Sequence, residues 1–191
     1  MNTYNPNLTL MQMVQHLRYA KLERQLRPLC KWVDFYDYIW SYGPIDWNGK
    51  TVLDIGADIG SSALFFLMNG AKYVVLIEND PKSVREYGLL KNDEYLNGIF
   101  RKTEMHLPQS MLKYSFDILK MDCEGCELSL LTEDLLKKSN EFVIGLHKPQ
   151  LDDYQFEQKK RLLEKYGGKY YGAIVNKQDG ITGEYIFIKK V

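Results

Sequence analysis

The chain has 191 residues, of which 45% are hydrophobic and 26% charged, as in a soluble globular protein of one domain. Lys plus Arg and Asp plus Glu both total 25, so no basic excess predicts nucleic-acid binding, although a local basic patch is not excluded. No apolar run predicts a membrane span, no signal-peptide pattern opens the chain, and three cysteines favour a reducing compartment, so we expect a cytoplasmic protein.

Two helices are predicted ahead of the first strand. Apolar residues recur at helical spacing over residues 8–27, and aromatic residues crowd the stretch from Leu29 to Tyr42. Large side chains at helical spacing usually belong to a core, so we expect most of these aromatics to pack on the sheet. The alternative is that they cover a ligand cleft or form a substrate pocket. Residues 1–45 therefore form an N-terminal helical extension, and residues 46–191 the core of a single domain.

A glycine turn follows the first core strand. Residues 52–55 are strand-like, residues 56–60 begin and end with glycine, and residues 61–68 have helical periodicity. In a strand, glycine turn and helix, open backbone N–H groups face a ligand. A second strand over residues 73–77 ends in Glu78, where an acid accepts ribose hydroxyls in dinucleotide-binding folds. The order predicts a doubly wound α/β domain that binds a nucleoside-containing cofactor.

The residues of the turn distinguish between cofactors. The dinucleotide fingerprint G-x-G-x-x-G places glycine where this chain has Asp58, and Asp54 lies four residues earlier. Two carboxylates beside the turn would repel a pyrophosphate and would suit a ligand with a cationic end. S-adenosylmethionine has a ribose for Glu78, an ammonium and a sulfonium for the acids, and no phosphate. We therefore expect this cofactor, and the alternative is an ordinary turn with solvent-exposed acids.

Strands and helices alternate along the rest of the chain. Asp80 is predicted to cap a helix that starts at Pro81 and runs to about Asn92. Later strands are predicted at Ile99–Lys102, Phe116–Met121, Phe142–Leu146, Lys169–Val175 and Glu184–Lys190, helices at Glu127–Lys138 and Asp152–Tyr166, and a loop at 103–110. Such alternation predicts a mainly parallel, seven-stranded sheet with right-handed crossovers. The last two strands, joined without a helix, should be antiparallel neighbours.

Two longer motifs lie in this core. Residues 52–60 read Val-Leu-Asp-Ile-Gly-Ala-Asp-Ile-Gly, and residues 116–127 read Phe-Asp-Ile-Leu-Lys-Met-Asp-Cys-Glu-Gly-Cys-Glu. They resemble Asp-x-Gly-Ala-Asn-x-Gly and Lys-x-Asp-x-Glu-Gly-x-Glu of the FkbM family of class I S-adenosylmethionine-dependent methyltransferases, with Asp58 replacing Asn. The resemblance spans residues 48–148. It implies a Rossmann-like fold and O-methylation of hydroxyls on sugars, polyketides or other natural products.

Candidate catalytic residues follow the fourth and fifth strands. A hydroxyl acceptor needs a base within about 3 Å. Asp122 is expected to point toward the methionine or transferred methyl of the cofactor, Glu124 to face the acceptor, and His147 to take the proton or orient the acceptor. Alternatively, the two acids cap the helix near Glu127, and His147 is a hydrogen-bonded cap. The expected cofactor-binding residues are Asp54, Gly56, Ala57, Asp58, Gly60, Ser61, Glu78, Asn79, Glu104 and Asp122.

Cys123 and Cys126 form a C-x-x-C pattern. Free cysteine packs readily as a small hydrophobe, so we expect apolar filler here rather than a redox pair or a metal site, and no metal elsewhere. The expected partner is a small molecule that carries a hydroxyl. Two alternatives remain open: an RNA methyltransferase, which the zero net charge weakens, and a methyltransferase-like binding module without catalysis.

Overall fold

A seven-stranded sheet organises the computed structural model, which describes residues 19–21, 24, 35–93, 96–175 and 182–191. The strands are β1 (Thr51–Ile55), β2 (Tyr73–Ile77), β3 (Thr103–His106), β4 (Ile118–Met121), β5 (Glu141–Lys148), β6 (Lys169–Val175) and β7 (Gly183–Lys189). Their order is β3-β2-β1-β4-β5-β7-β6, with β7 antiparallel to both neighbours and every other pair parallel. The predicted mainly parallel sheet with a C-terminal antiparallel pair is confirmed.

Helices cover both faces of the sheet. They are α1 (Phe35–Tyr42), α2 (Ser61–Met68), α3 (Pro81–Lys91), α4 (Asn97–Phe100), α5 (Glu127–Leu130), α6 (Glu133–Lys138) and α7 (Asp153–Lys165), with a 3₁₀ helix at Pro108–Lys113. Asp80 caps α3 as predicted, since its carboxylate accepts from the backbone N–H of Lys82 and Ser83. In the part of the chain that the structure describes, no helix combines the length and apolarity needed to span a membrane.

Most of the N-terminal helix prediction lies outside the described residues. Residues 19–21 and 24 are helical, and the end of the second predicted helix is seen as α1. Tyr19 is buried and accepts a hydrogen bond from the Asn69 side chain at 2.8 Å. The N-terminal segment therefore packs on α2 at this point.

The central strand β1 is buried on both faces. Val52 packs in the apolar layer that also holds Phe66 of α2, whereas Leu53 and Ile55 pack in the opposite layer, with Leu135 of α6. Parallel strands buried on both faces read as continuous apolar runs. A charged residue within such a strand therefore needs a buried partner.

The prediction for the third strand is wrong. Ile99 and Phe100 belong to α4, and β3 begins only at Thr103, inside the stretch predicted as a loop. Phe100 is fully buried, with its ring centroid 5.6 Å from that of Tyr87. Because β3 lies at the edge of the sheet, polar side chains are tolerated in this strand. The apolar pair that precedes β3 belongs instead to the short helix α4.

The predicted helix over 127–138 is interrupted. Leu131 has an extended backbone, with φ −76° and ψ 97°, which ends α5. Thr132 then caps α6 by accepting a hydrogen bond from the Leu135 backbone N–H. Thr132 side-chain capping thus starts a new helix where periodicity alone predicts one continuous helix.

Candidate active site

A cleft of about 900 Å³ opens at the carboxyl ends of the parallel strands. Open α/β sheets bind their ligands at this edge. The turn after β1, the end of β2, the loop after β4 and the end of β5 all line it, as do α1 and the start of β7. Both motifs thus meet in one cavity.

The glycine turn needs its first glycine for close contact with the second motif. Gly56 has φ 74°, and a Cβ at this position would lie 2.0 Å from the backbone oxygen of Asp122. Asp58 has φ 48°, a left-handed conformation that Asp and Asn tolerate better than other residues with a side chain. Its carboxylate accepts a hydrogen bond from the Ser83 hydroxyl at 2.6 Å. The backbone conformation explains why this motif position suits Asn or Asp.

Glu78 joins the turns after β1 and β2. Its carboxylate accepts from the backbone N–H groups of Asp58 at 2.8 Å, Asn79 at 2.7 Å and Asp80 at 2.8 Å. A carboxylate has about four lone-pair positions, so three bonds leave room for one further donor. Glu78 lines the cleft and can therefore accept from one ligand hydroxyl, fewer than the two that the sequence suggests.

Asp54 does not face the cleft, contrary to expectation. Its side chain is fully buried and lies 2.8 Å from the ammonium of Lys120, its register partner on β4. Ser62 donates a second bond to it at 2.5 Å, and Lys120 also donates to the backbone oxygen of Gly56 at 2.9 Å. Asp54 is therefore a structural residue, and its charge is neutralised inside the sheet rather than by a ligand.

His147 connects two carboxylates at the base of the cleft. Its Nδ1 lies 2.5 Å from Glu127 Oε1 and its Nε2 lies 3.3 Å from Asp122 Oδ1. Glu127 is fully buried, and its second oxygen accepts from the backbone N–H of Gly125 at 2.7 Å. Tyr42 donates its hydroxyl to Asp122 Oδ2 at 2.9 Å. These bonds fix the orientation of Asp122 and His147.

The electrostatics of this group decide which member can accept a proton. Burial acts to raise the pKa of Asp122, but Lys120, His147 and Tyr42 outweigh it and lower that pKa to about 2. Burial acts to lower the pKa of His147, but its bonds to Asp122 and Glu127 outweigh it and raise that pKa to about 10. At neutral pH the imidazole thus already carries its proton and is a poor base.

Glu184 completes this group, although no motif identifies it. It lies on β7 directly opposite His147 in the antiparallel register. One ligand atom each of Asp122, His147 and Glu184 lies within 4.8 Å of the others. Burial, followed by the charge of Asp122, raises the pKa of Glu184 to about 8. The weak sequence signal for Glu184 is an acid at the second residue of β7, just before the mainly apolar run Tyr185–Ile188.

The aromatic residues of α1 serve both the core and the cleft. The ring of Tyr42 packs in the apolar layer above β1, yet its hydroxyl reaches Asp122. Tyr38 and Ser61 share a hydrogen bond of 2.7 Å between their hydroxyls, and both line the cleft. The ring of Tyr42 therefore packs in the core, as expected for most of these aromatics, while its hydroxyl lines the cleft, as the alternative expectation proposed.

The remaining predicted site residues divide into two groups. Gly56, Ala57, Asp58, Ser61, Glu78, Asn79 and Asp122 line the cleft, as does Glu124. Glu104 does not line it, because it lies on β3 and pairs with His106 Nε2 at 3.1 Å. Gly60 packs under Phe100, where a Cβ would lie 3.0 Å from the ring. Cys126 is the N-cap of α5 and no side chain caps it, so capping by Asp122 or Glu124 is not seen.

Cys123 and Cys126 form a disulfide, which corrects the prediction of two unbonded side chains. Both still pack against the apolar layer on the α6 side of the sheet, as apolar filler would, and both line the cleft. The bond closes the loop that holds Glu124 and Gly125, whose φ values of 49° and 119° are both left-handed.

The folded protein is expected to lose stability between about pH 5 and pH 10. Glu184 keeps its proton to about pH 8 when folded, and its pKa is 4.5 when unfolded, so folding binds a proton between these values. His147 contributes stability that is complete below 6.5 and is lost as pH rises through about 10.

Urea unfolding at pH 5, 7 and 9 measures this loss. Glu184→Gln should flatten the decline between pH 5 and pH 8 and should be more stable than the wild type at pH 9. The exposed control Glu164→Gln should retain the wild-type slope. A wild-type stability that rises over this range would contradict the assigned protonation states.

The chain is similar to two viral proteins. It is 40% identical over 111 residues to uncharacterized protein 65 of Sulfolobus islandicus filamentous virus (isolate Iceland/Hveragerdi), covering 58% of this chain and 68% of that protein. It is 32% identical over 162 residues to uncharacterized protein 158B of Sulfolobus islandicus rod-shaped virus 1, covering 84% of this chain and 92% of that protein. No protein-family model matches the chain.

The fold is that of solved class I methyltransferases. The O-methyltransferase from Bacillus cereus, solved in complex with SAH, superposes with a TM-score of 0.61 at 13% sequence identity. The match covers 91% of this chain and 90% of that chain. The predicted Rossmann-like architecture is thereby confirmed.

Proposed function

The chain belongs to the family of the two Sulfolobus virus proteins, and we propose that it transfers a methyl group from S-adenosylmethionine to a hydroxyl of a small molecule or sugar. One observation carries the proposal: both FkbM-like motifs line one cleft, at the edge of the sheet where such folds bind ligands. The Bacillus cereus enzyme with the same fold was solved with SAH, the demethylated product of this cofactor. The FkbM assignment rests on the two motifs.

The residues of the cleft fit the cofactor. Glu78 has one lone-pair position available for a ribose hydroxyl, and Asp58 lies beside it on the glycine turn. Asp122 holds a carboxylate in the cleft with a pKa of about 2, charged at all ordinary pH values and suited to an ammonium group. When bound, S-adenosylmethionine supplies an electrophilic methyl group on its sulfonium sulfur.

The acceptor proton needs a base that is free to take it. From the sequence, His147 is expected to take this proton or orient the acceptor, and Glu124 to face the acceptor. His147 is already protonated at neutral pH, and Glu124 is exposed on the loop at the side of the cleft. A base works best when its pKa lies near the operating pH. With a pKa of about 8, Glu184 is the group of this cluster that fits, while His147 keeps Asp122 charged and oriented.

The two alternatives have less support. An RNA acceptor would need cationic side chains for phosphates, whereas Lys120 and Lys148, which line the cleft, are each bonded to an acid. A binding module without catalysis has no need of a carboxylate with a pKa near 8 beside a second carboxylate.

Cofactor binding tests the proposal directly. We expect S-adenosylmethionine and SAH to raise the thermal unfolding midpoint, because a ligand at a hundredfold excess over its dissociation constant stabilises by about 2.7 kcal/mol. NAD, FAD and ATP should have far weaker effects, since the glycine turn carries the Asp58 carboxylate and the Asp58 backbone N–H already donates to Glu78 instead of to a pyrophosphate. A shift with NAD and none with the sulfonium compound would refute the cofactor assignment.

Glu78→Ala should weaken SAH binding at least tenfold. A hydrogen bond from a hydroxyl to a carboxylate contributes about 1.5–3 kcal/mol, and the variant also loses the three backbone bonds that order the two turns. Isothermal titration calorimetry measures the affinity, and Glu104→Ala outside the cleft is the control. Equal affinities for wild type and Glu78→Ala would place the ribose elsewhere.

A further inference from the structure

Carboxylates outnumber cations along the cleft. Six acidic side chains line it, namely Asp37, Asp58, Glu78, Asp122, Glu124 and Glu184. The described cationic or imidazole side chains that line it are Lys120, His147 and Lys148. The cleft as a whole is therefore negative.

Each of these three cationic groups is already bonded to an acid. Lys120 pairs with Asp54 at 2.8 Å, and Lys148 pairs with Asp153 at 2.7 Å. His147 lies between Asp122 and Glu127. Among the described lining residues, none therefore offers an uncompensated positive charge to a phosphate or carboxylate on a ligand.

Glu184 is the opposite case. Within the described residues its carboxylate makes no hydrogen bond, and it lies over Gly145, where a Cβ would come within 2.3 Å of Oε1. The glycine thus leaves room for this carboxylate on the surface of β5. Among the described residues no cation lies within ion-pair distance of this carboxylate, so an ammonium group on a ligand would stabilise its ionised form.

The order of the strands places Glu184 away from the expected ribose site. Glu78 follows β2, and Glu184 lies on β7, four strands further along the sheet. At about 4.8 Å per strand, that is roughly 19 Å. If Glu78 holds the ribose of the cofactor, Glu184 lies at the end of the cleft that is left for the acceptor.

We propose that the acceptor carries an ammonium group and that Glu184 binds this group at the β5–β7 end of the cleft. One carboxylate oxygen pairs with the ammonium, and the other stays available for the hydroxyl proton. The inference rests on the proposed function, because it assigns that end of the cleft to the acceptor. Amino sugars and amino alcohols combine the required cation with a hydroxyl. Phosphorylated or carboxylated acceptors, and nucleic acids, would meet like charge without a compensating cation.

Matched probes test this on the SAH-saturated protein. Calorimetry compares glucosamine with glucose and glucose 6-phosphate, and ethanolamine with ethylene glycol. We expect at least one amine to bind roughly ten times more tightly than its neutral match, and the phosphate ester to bind most weakly. Glu184→Gln should abolish the preference, and the exposed control Glu164→Gln should keep it.

Gly145→Ala provides a second variant that retains the charge. The new methyl group displaces the Glu184 carboxylate, so the preference for amines should fall while SAH affinity is unchanged. The proposal is overturned if neither amine binds better than its neutral match, if glucose 6-phosphate binds best, or if Glu184→Gln keeps the preference. Loss of SAH binding by the wild type would refute the proposed function instead, and SAH affinity is measured first.

Discussion

Lys120→Met should destabilise the fold by about 3–5 kcal/mol, the cost of leaving a buried partner charge uncompensated. Lys120 is 2% exposed and Asp54 is fully buried, and the two lie side by side on β4 and β1. The variant removes the ammonium that Asp54 and the Gly56 carbonyl both contact. Equilibrium unfolding in urea measures the difference.

Two further variants separate the ion pair from the loss of any lysine. Lys72→Met, at an exposed position, should change stability by no more than about 0.5 kcal/mol. The double variant Asp54→Asn with Lys120→Met should recover part of the loss, because it removes both buried charges. If Lys120→Met is as stable as the wild type, the pair does not hold the two motifs together.

Glu184→Gln should lower the rate of methyl transfer by about 10²–10⁴-fold, the usual contribution of a general base. The wild-type rate should rise with pH through about 8, as Glu184 loses its proton, and this rise should vanish in the variant. Radiolabelled cofactor measures turnover with glucose or ethylene glycol as the acceptor, because a bound ammonium group would lower the pKa of Glu184 and displace this rise. Cofactor affinity should remain at the wild-type value.

Variants at two other glutamates test whether Glu184 alone is the general base. Glu124→Gln should keep most of its rate, because Glu124 is exposed and lies outside the group of Asp122, His147 and Glu184. Glu164→Gln controls for the loss of a negative charge elsewhere. If Glu184→Gln turns over normally and retains the pH dependence, the proton goes to another group.

Local signals predicted several elements residue by residue. The helix at Ser61–Met68 and the strand at Tyr73–Ile77 match, because a glycine turn and an acid mark their ends. The apolar pair Ile99 and Phe100 predicts a strand, whereas both residues belong to α4. Phe100 is buried by packing against Tyr87 and Gly60, a tertiary contact that periodicity does not report.

The structural role of Asp54 and the site position of Glu184 could be predicted from the sequence to different degrees. Asp54 interrupts a strand buried on both faces, and Lys120 does the same in β4, so reading the motifs together would have paired them. Glu184 offers no such signal. It reaches the site only because β7 inserts beside β5, which the order of strands along the chain does not determine.

The placement of β7 between β5 and β6 also affects how the protein is assembled during synthesis. The ribosome makes residues 141–148 well before residues 183–189, so β5 keeps one unpaired edge while the rest of the sheet forms. An exposed edge of this kind is a ready template for pairing with another chain. Glu184 arrives with the strand that closes this edge, so the nascent chain acquires its proposed proton acceptor only after all the parallel strands have been synthesised.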